Sequence, residues 1–280
     1  MMLLHGILIT IRILPFELAV LLVRLILLIY LAVRSDYRQE IRTNYKLIFG
    51  ANRPWFWVRN AWRVGRNLTL MAKIGTKFAN ELVDRGVVCG ENYIKRQSLE
   101  QDVHTLMASF HFGVWEYLPQ FFVRQGEDVA VVVSKQRDPV LDSGLRRLRN
   151  SNGVKLIVQI SGIFRRLSNY GVTGFMLDNT ARGRSLTVHL ARLNDGNRLL
   201  FRVPALPFEI VNRQRDRAKN GVAGVVPIFG YLKEGRLVIQ IFPAGDAASA
   251  VRALLTMVKA MPEEWIFWGK AGAIKLIEAQ

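Results

Sequence analysis

Residues 18–33 are apolar apart from a single charge, Arg24. This stretch restricts the fold more than any other, because so much grease must be covered by lipid or by protein. A bilayer core is crossed by roughly 20 apolar residues in helical form. The stretch therefore reads as a membrane-embedded N-terminal helix, spanning or lying at the interface, provided Arg24 snorkels or faces protein. The other reading is a buried core helix. A secretory signal is a poor description, since the run is long and no small-residue cleavage site follows it.

The residues after it are basic at helical spacing. Arg34, Arg38, Arg42 and Lys46 recur every four positions, and Arg59, Arg63 and Arg66 form a second stripe near Trp55, Trp57 and Trp62. Cationic side chains and interfacial tryptophans beside an apolar helix describe a face that meets an anionic membrane surface, and a solvated helix face is the bland alternative. The whole chain agrees with the first: 39 Lys and Arg against 22 Asp and Glu give a formal charge of +17, yet half of the 280 residues are hydrophobic. That much apolar material excludes disorder and builds a sizeable core. A nucleic-acid binder would also account for the charge, but nothing resembles a recognition module, so no nucleic acid is expected. The single cysteine, Cys89, excludes an intramolecular disulfide framework and a multi-cysteine zinc site. It reads as a small buried hydrophobe. With four histidines in all, no metal site is expected.

From about residue 101 short apolar runs recur, at 103–110, 129–133, 154–160 and 172–177, with helix-like segments at Pro139–Asn150 and 162–169 between them. Continuous apolar strands alternating with helices predict an α/β fold, a mostly parallel sheet covered on both faces. Runs at 222–229 and 236–242 flank Lys233-Glu234-Gly235, which predicts a hairpin and so a mixed sheet; a helix over 246–261 stops before Pro262. Three parts follow: a membrane-associated helix at 1–34, a basic helical segment at 35–100 and an α/β domain at 101–280.

In such sheets reactive groups gather past the carboxyl ends of the strands. The first run ends directly at His111-Phe112-Gly113-Val114-Trp115-Glu116. On one continuous helix, positions 111 and 116 would point about 140° apart. Across a strand–turn–helix corner they can converge. A carboxylate on one ring nitrogen fixes the tautomer and strengthens the other as a base, suited to deprotonating a hydroxyl. Of the four histidines only His111 has an acid five residues on. An ordinary satisfied histidine is the competing reading.

The segment Ser109-Phe110-His111-Phe112-Gly113-Val114-Trp115-Glu116 resembles the His-x4-Glu signature of the late acyltransferases of lipid A biosynthesis, within the lysophospholipid-acyltransferase-like superfamily. The similarity continues through Asp138-Pro139-Val140-Leu141-Asp142, Arg146-Arg147-Leu148-Arg149, Gly174-Phe175-Met176-Leu177-Asp178-Asn179, Val225-Val226-Pro227-Ile228-Phe229 and Pro262-Glu263-Glu264-Trp265. It implies a glycerolipid-acyltransferase-like α/β domain with an N-terminal membrane helix, at the cytoplasmic face of the bacterial inner membrane. It further implies transfer of a fatty acyl chain from a thioester, on acyl carrier protein, to a hydroxyl of lipid A or a related glycolipid, with no bound cofactor. His111 would be the general base and Glu116 would orient it and balance its charge. Arg147 and Asp178 match functional positions of the family. With Arg149, Lys135 and Arg137 they are candidates for holding substrate, since guanidinium groups fork onto phosphate oxygens. Absence of a Gly-x-Ser-x-Gly elbow agrees with direct attack and no acyl-enzyme. The chain departs from the family pattern at Val114, Val133-Ser134, Leu177, Asn179 and the C-terminal Trp265-Ile266-Phe267-Trp268-Gly269-Lys270. Those departures bear on donor and acceptor, so an acyl-CoA-dependent enzyme for another glycolipid or a lysophospholipid, or a non-catalytic lipid- or carrier-binding relative, stands as the alternative.

Overall fold

A computed structural model describes residues 2–90, 105–134, 139–150, 153–158, 163, 167, 170–178, 184–191, 198–215, 224–270 and 274–277. The chain opens with helices α1 (Met2–Ile13), α2 (Phe16–Val33), α3 (Ser35–Phe49), α4 (Phe56–Ala72) and α5 (Lys77–Asp84). Pro15 directly before α2 suits a helix start, where the missing N–H would have no partner. Gly50 ends α3 in the left-handed conformation that a glycine adopts without steric cost.

Among the described residues the main sheet has seven strands: β1 (Val87–Gly90), β2 (Thr105–Ser109), β3 (Val129–Val132), β4 (Lys155–Ile157), β5 (Val172–Met176), β8 (Val226–Lys233) and β9 (Arg236–Ile241). Their order is β1-β9-β8-β2-β5-β3-β4, and every adjacent pair is parallel except the β8–β9 hairpin. The mixed, mostly parallel α/β sheet expected from the apolar runs is thus observed. The hairpin turns at Glu234-Gly235, both at positive φ, which matches the right-handed twist of the flanking strands. Helices α6 (Tyr117–Arg124), α7 (Pro139–Asn150), α8 (Leu206–Arg215) and α9 (Ala247–Ala260) flank it. Asp246 caps α9 by accepting the Ser249 N–H at 2.8 Å. A second, three-stranded antiparallel sheet, β6 (Ser185–Ala191), β7 (Arg198–Pro204) and β10 (Ile274–Ile277), was not anticipated. The helix expected over 162–169 lies largely outside the described residues.

Two differences from expectation concern the lead-in. β1 comes from the stretch expected to be basic and helical, and it completes the sheet edge beside β9. Its Cys89 is exposed rather than buried, because β1 is an edge strand with all four residues facing solvent.

Candidate active site

Strand register brings the central pair of side chains together. β2 and β5 run parallel with Ser109 opposite Met176. Two residues further along each chain, the same offset sets His111 against Asp178. The His111 backbone N–H donates to Asp178 Oδ2 at 2.8 Å, and ring Nδ1 lies 2.7 Å from Oδ1. The Trp265 indole N–H donates to Oδ2 at 3.1 Å. Burial alone would raise the Asp178 carboxyl, but the charge and hydrogen bonds of His111, with the Trp265 bond, outweigh it and hold the group below the usual carboxylate range. An ionised Asp178 only accepts, so Nδ1 carries the proton and Nε2 presents its lone pair. The imidazole retains 19% side-chain exposure against 7% for the carboxylate. The imidazole can be reached while its partner is sealed. Trp115 and Phe267 flank the imidazole, with ring centroids 4.9 and 4.4 Å away.

The corner after His111 is held from two sides. Gly113 has φ +58°, and a Cβ there would sit 2.1 Å from the Gly230 carbonyl oxygen. Its N–H donates to the Glu264 carbonyl at 2.9 Å, and the Val114 N–H to the Gly230 carbonyl at 2.8 Å. Glycine is required here by conformation and by space. Glu116 follows, immediately before α6.

The expected hydrogen bond between His111 and Glu116 is replaced by two separate pairs. Glu116 is held by Arg149 of α7, which donates from Nε at 2.9 Å to one oxygen and from Nη2 to the other. The reason is geometric. The Nδ1 edge of the ring faces the end of β5, where register delivers Asp178, whereas Glu116 has turned the corner and faces α7. Burial tends to lower the Arg149 guanidinium, but its bonds to Glu116 prevail and raise it. Arg146 is engaged by Asp142 one turn earlier, at 2.7 Å. Arg147 lies on α7, but its side chain is outside the described residues, as are Lys135 and Arg137.

His111, Glu116 and Arg149 line one cavity, with about 620 Å3 of space free of atoms when the open solvent at its mouth is included. Its polar lining is Ser109, His111, Glu116 and Arg149; its apolar walls include Phe122, Val131, Val172, Phe175 and Ile228. The void runs between α6 and the sheet, with one end at the His111 ring.

Three residues of the C-terminal turn belong to the site, and sequence reading gave them no role there. Trp265 and Trp268 are both buried. A buried indole N–H needs an acceptor, and that of Trp265 finds Asp178. Phe267 covers the imidazole, and the Lys270 ammonium donates to the Asp178 carbonyl at 2.5 Å, where burial lowers its pKa. The turn is anchored by the lead-in helices: Asn60 donates to the carbonyls of Glu263 and Trp265, both at 3.0 Å, and Asn44 to that of Trp268 at 2.7 Å. Asn67 donates to the Glu264 carboxylate at 2.6 Å. Burial pushes that carboxyl up, while the Asn67 bond and nearby Arg63 pull it down.

A search of curated proteins returns no match. Residues 1–190, more than half of the chain and inclusive of His111, Glu116, Arg149 and Asp178, match the family model described as bacterial lipid A biosynthesis acyltransferase. With its α/β sheet, its apolar N-terminal helix and this match in hand, the chain belongs to the bacterial lipid A biosynthesis acyltransferase family.

Proposed function

We propose that the protein transfers a fatty acyl chain from an acyl thioester, carried by acyl carrier protein, to a hydroxyl of lipid A or a related glycolipid at the cytoplasmic face of the bacterial inner membrane, with no bound cofactor. The observation that carries this reading is one imidazole, held by Asp178, in the polar lining of a largely apolar cavity. The cavity would take the acyl chain and present its thioester carbonyl near His111. Nε2 of His111 takes the acceptor hydroxyl's proton as the oxygen attacks that carbonyl. The tetrahedral intermediate then expels the thiolate, which recovers the proton from the imidazolium. Asp178 stays ionised throughout and balances the transient charge, the part first expected of Glu116. Glu116 and Arg149 become positioning residues in the polar lining of the cavity. Arg147, Lys135 and Arg137 are candidates for contacts with lipid phosphate or an acidic carrier protein.

The membrane location rests on the apolar outer face of α2, where Leu18, Leu21, Leu25, Ile29 and Val33 are exposed. The test uses purified protein, acyl carrier protein thioester and a membrane lipid extract containing the glycolipid acceptor. The expected result is one added acyl group by mass spectrometry, lost in His111→Ala while vesicle binding persists. Unchanged turnover in that variant would remove His111 from the chemistry. Lipid binding without product would favour a binding role, and product only from acyl-CoA would change the donor.

A further inference from the structure

We infer that α1 and α2 do not cross the bilayer but lie flat in one leaflet as an interfacial platform, the partner surface being an anionic leaflet. This rests on the membrane contact proposed above and deepens it.

The argument begins with what α2 is attached to. Its buried residues, Ala19, Val20, Val23 and Leu31, form one stripe, and α2 lies against α4 along that stripe. Arg24, the lone charge of the apolar run, faces protein: Nε donates to the Trp62 carbonyl at 2.9 Å and the guanidinium stacks 4.2 Å from the Trp62 ring. Both ends of α2 are tied down. Lys73 donates to the carbonyls of Arg12 and Leu14 at 3.3 and 2.7 Å, and Arg12 donates back to those of Ala72 and Ile74 at 2.9 and 3.1 Å. At the far end Arg38 donates to the Leu31 carbonyl at 2.6 Å and to that of Ala32. Cations at helix carboxyl ends are favourable placements.

α4 in turn cannot follow α2 into hydrocarbon. It is bonded to the α/β body at Asn60, at Asn67 and at the Leu70 carbonyl, which accepts from the Tyr117 hydroxyl at 2.8 Å. These points span about 15 Å of helix at 1.5 Å per residue. It also carries Arg59 and Arg63 in ion pairs with Glu263 and Glu264. A spanning α2 would drag these charges and the sheet behind them into lipid, where polar groups have no water to bond. A helix lying flat avoids this. Its exposed large apolar residues, Leu18, Leu21, Leu25, Ile26, Ile29, Tyr30 and Val33, span an arc of about 180° at 100° per residue, centred away from the stripe on α4. Trp55 and Trp62 are exposed close by, and residues 1–66 hold ten Lys or Arg against three Asp or Glu. An apolar band with interfacial tryptophans and excess positive charge complements an anionic leaflet surface. Because Asn60 of α4 also binds the turn that holds Trp265 against Asp178, the platform would set the height of the active site above the lipid.

Spin labels read this without turnover. In a Cys89→Ser background, Leu18→Cys, Leu21→Cys, Leu25→Cys, Ile29→Cys and Val33→Cys are labelled one at a time. Each is bound to phosphatidylethanolamine vesicles containing phosphatidylglycerol, and depth is measured by power saturation. The platform predicts one shallow depth, about 5–10 Å, at all five positions. A profile deepest at Leu25 and rising to the two opposite surfaces over about 30 Å would show a spanning helix and overturn the inference, leaving the proposed chemistry intact. Labels in water at every position would overturn both the platform and the membrane contact.

Discussion

Asp178→Asn is the most informative single change. The carboxylate serves three donors: the His111 ring on one oxygen, and the His111 amide and Trp265 indole on the other. An amide has one acceptor oxygen. If that oxygen keeps the amide and indole, the NH2 faces Nδ1, which must then accept, so the ring proton moves to Nε2. The reverse flip sets the NH2 against two donors and costs about 1–3 kcal/mol for each group left unsatisfied. The first flip therefore prevails, and it removes the lone pair that should take the hydroxyl proton. General-base assistance contributes roughly 100- to 10,000-fold, or about 2.7–5.4 kcal/mol of barrier. The assay is initial acylation rate with acyl carrier protein thioester, beside urea unfolding of both proteins. Since Asp178 is held below its ordinary pKa when folded, its stabilising effect is present above the unfolded value of about 3.9 and is lost as pH falls through the folded value. The stability gap between the two proteins should thus be steady above about pH 5 and shrink below about pH 4. A variant whose rate stays within about threefold of the wild type, under 1 kcal/mol, would refute the assignment of Asp178 as the orienting group.

Three further outcomes follow from the same geometry. Gly113→Ala places a Cβ 2.1 Å from the Gly230 carbonyl at a positive φ; urea unfolding should show a loss of about 2–4 kcal/mol. Trp265→Phe keeps the ring but leaves Asp178 Oδ2 with one donor fewer; a stability loss of about 1–2 kcal/mol and a rate decrease of about tenfold are expected in unfolding and acylation assays. Val131→Phe adds bulk to the apolar cavity wall; product mass spectrometry over donors of graded length should show preference moving to a shorter chain.

What could be read from sequence follows the physics of each signal. β2, β3 and β5 were evident because strands buried on both faces are continuously apolar. The hairpin was evident because Glu234-Gly235 sits between two such runs. The second sheet was not: Ser-Leu-Thr-Val-His-Leu-Ala of β6 mixes polar and apolar residues, and its neighbour β7 also pairs with β10, 70 residues further along the chain. At the site, the end of β2 identified His111 as a group at the sheet's mouth. Its partner was misjudged because local spacing favours Glu116, whereas the actual neighbour is fixed by pairing with β5. Asp178 was singled out, to hold substrate or brace the site, but its pairing with His111 was not, since that requires knowing that Ser109 faces Met176. Phe267 and Lys270 arrive from the C-terminal turn through contacts to α3 and α4 that no local pattern encodes.

The lipid profile of a strain lacking the protein tests the central claim most directly. The account predicts that one O-linked acyl group disappears from a saccharolipid, and that a wild-type copy restores it while His111→Ala does not. An unaltered profile, or full restoration by His111→Ala, would contradict it.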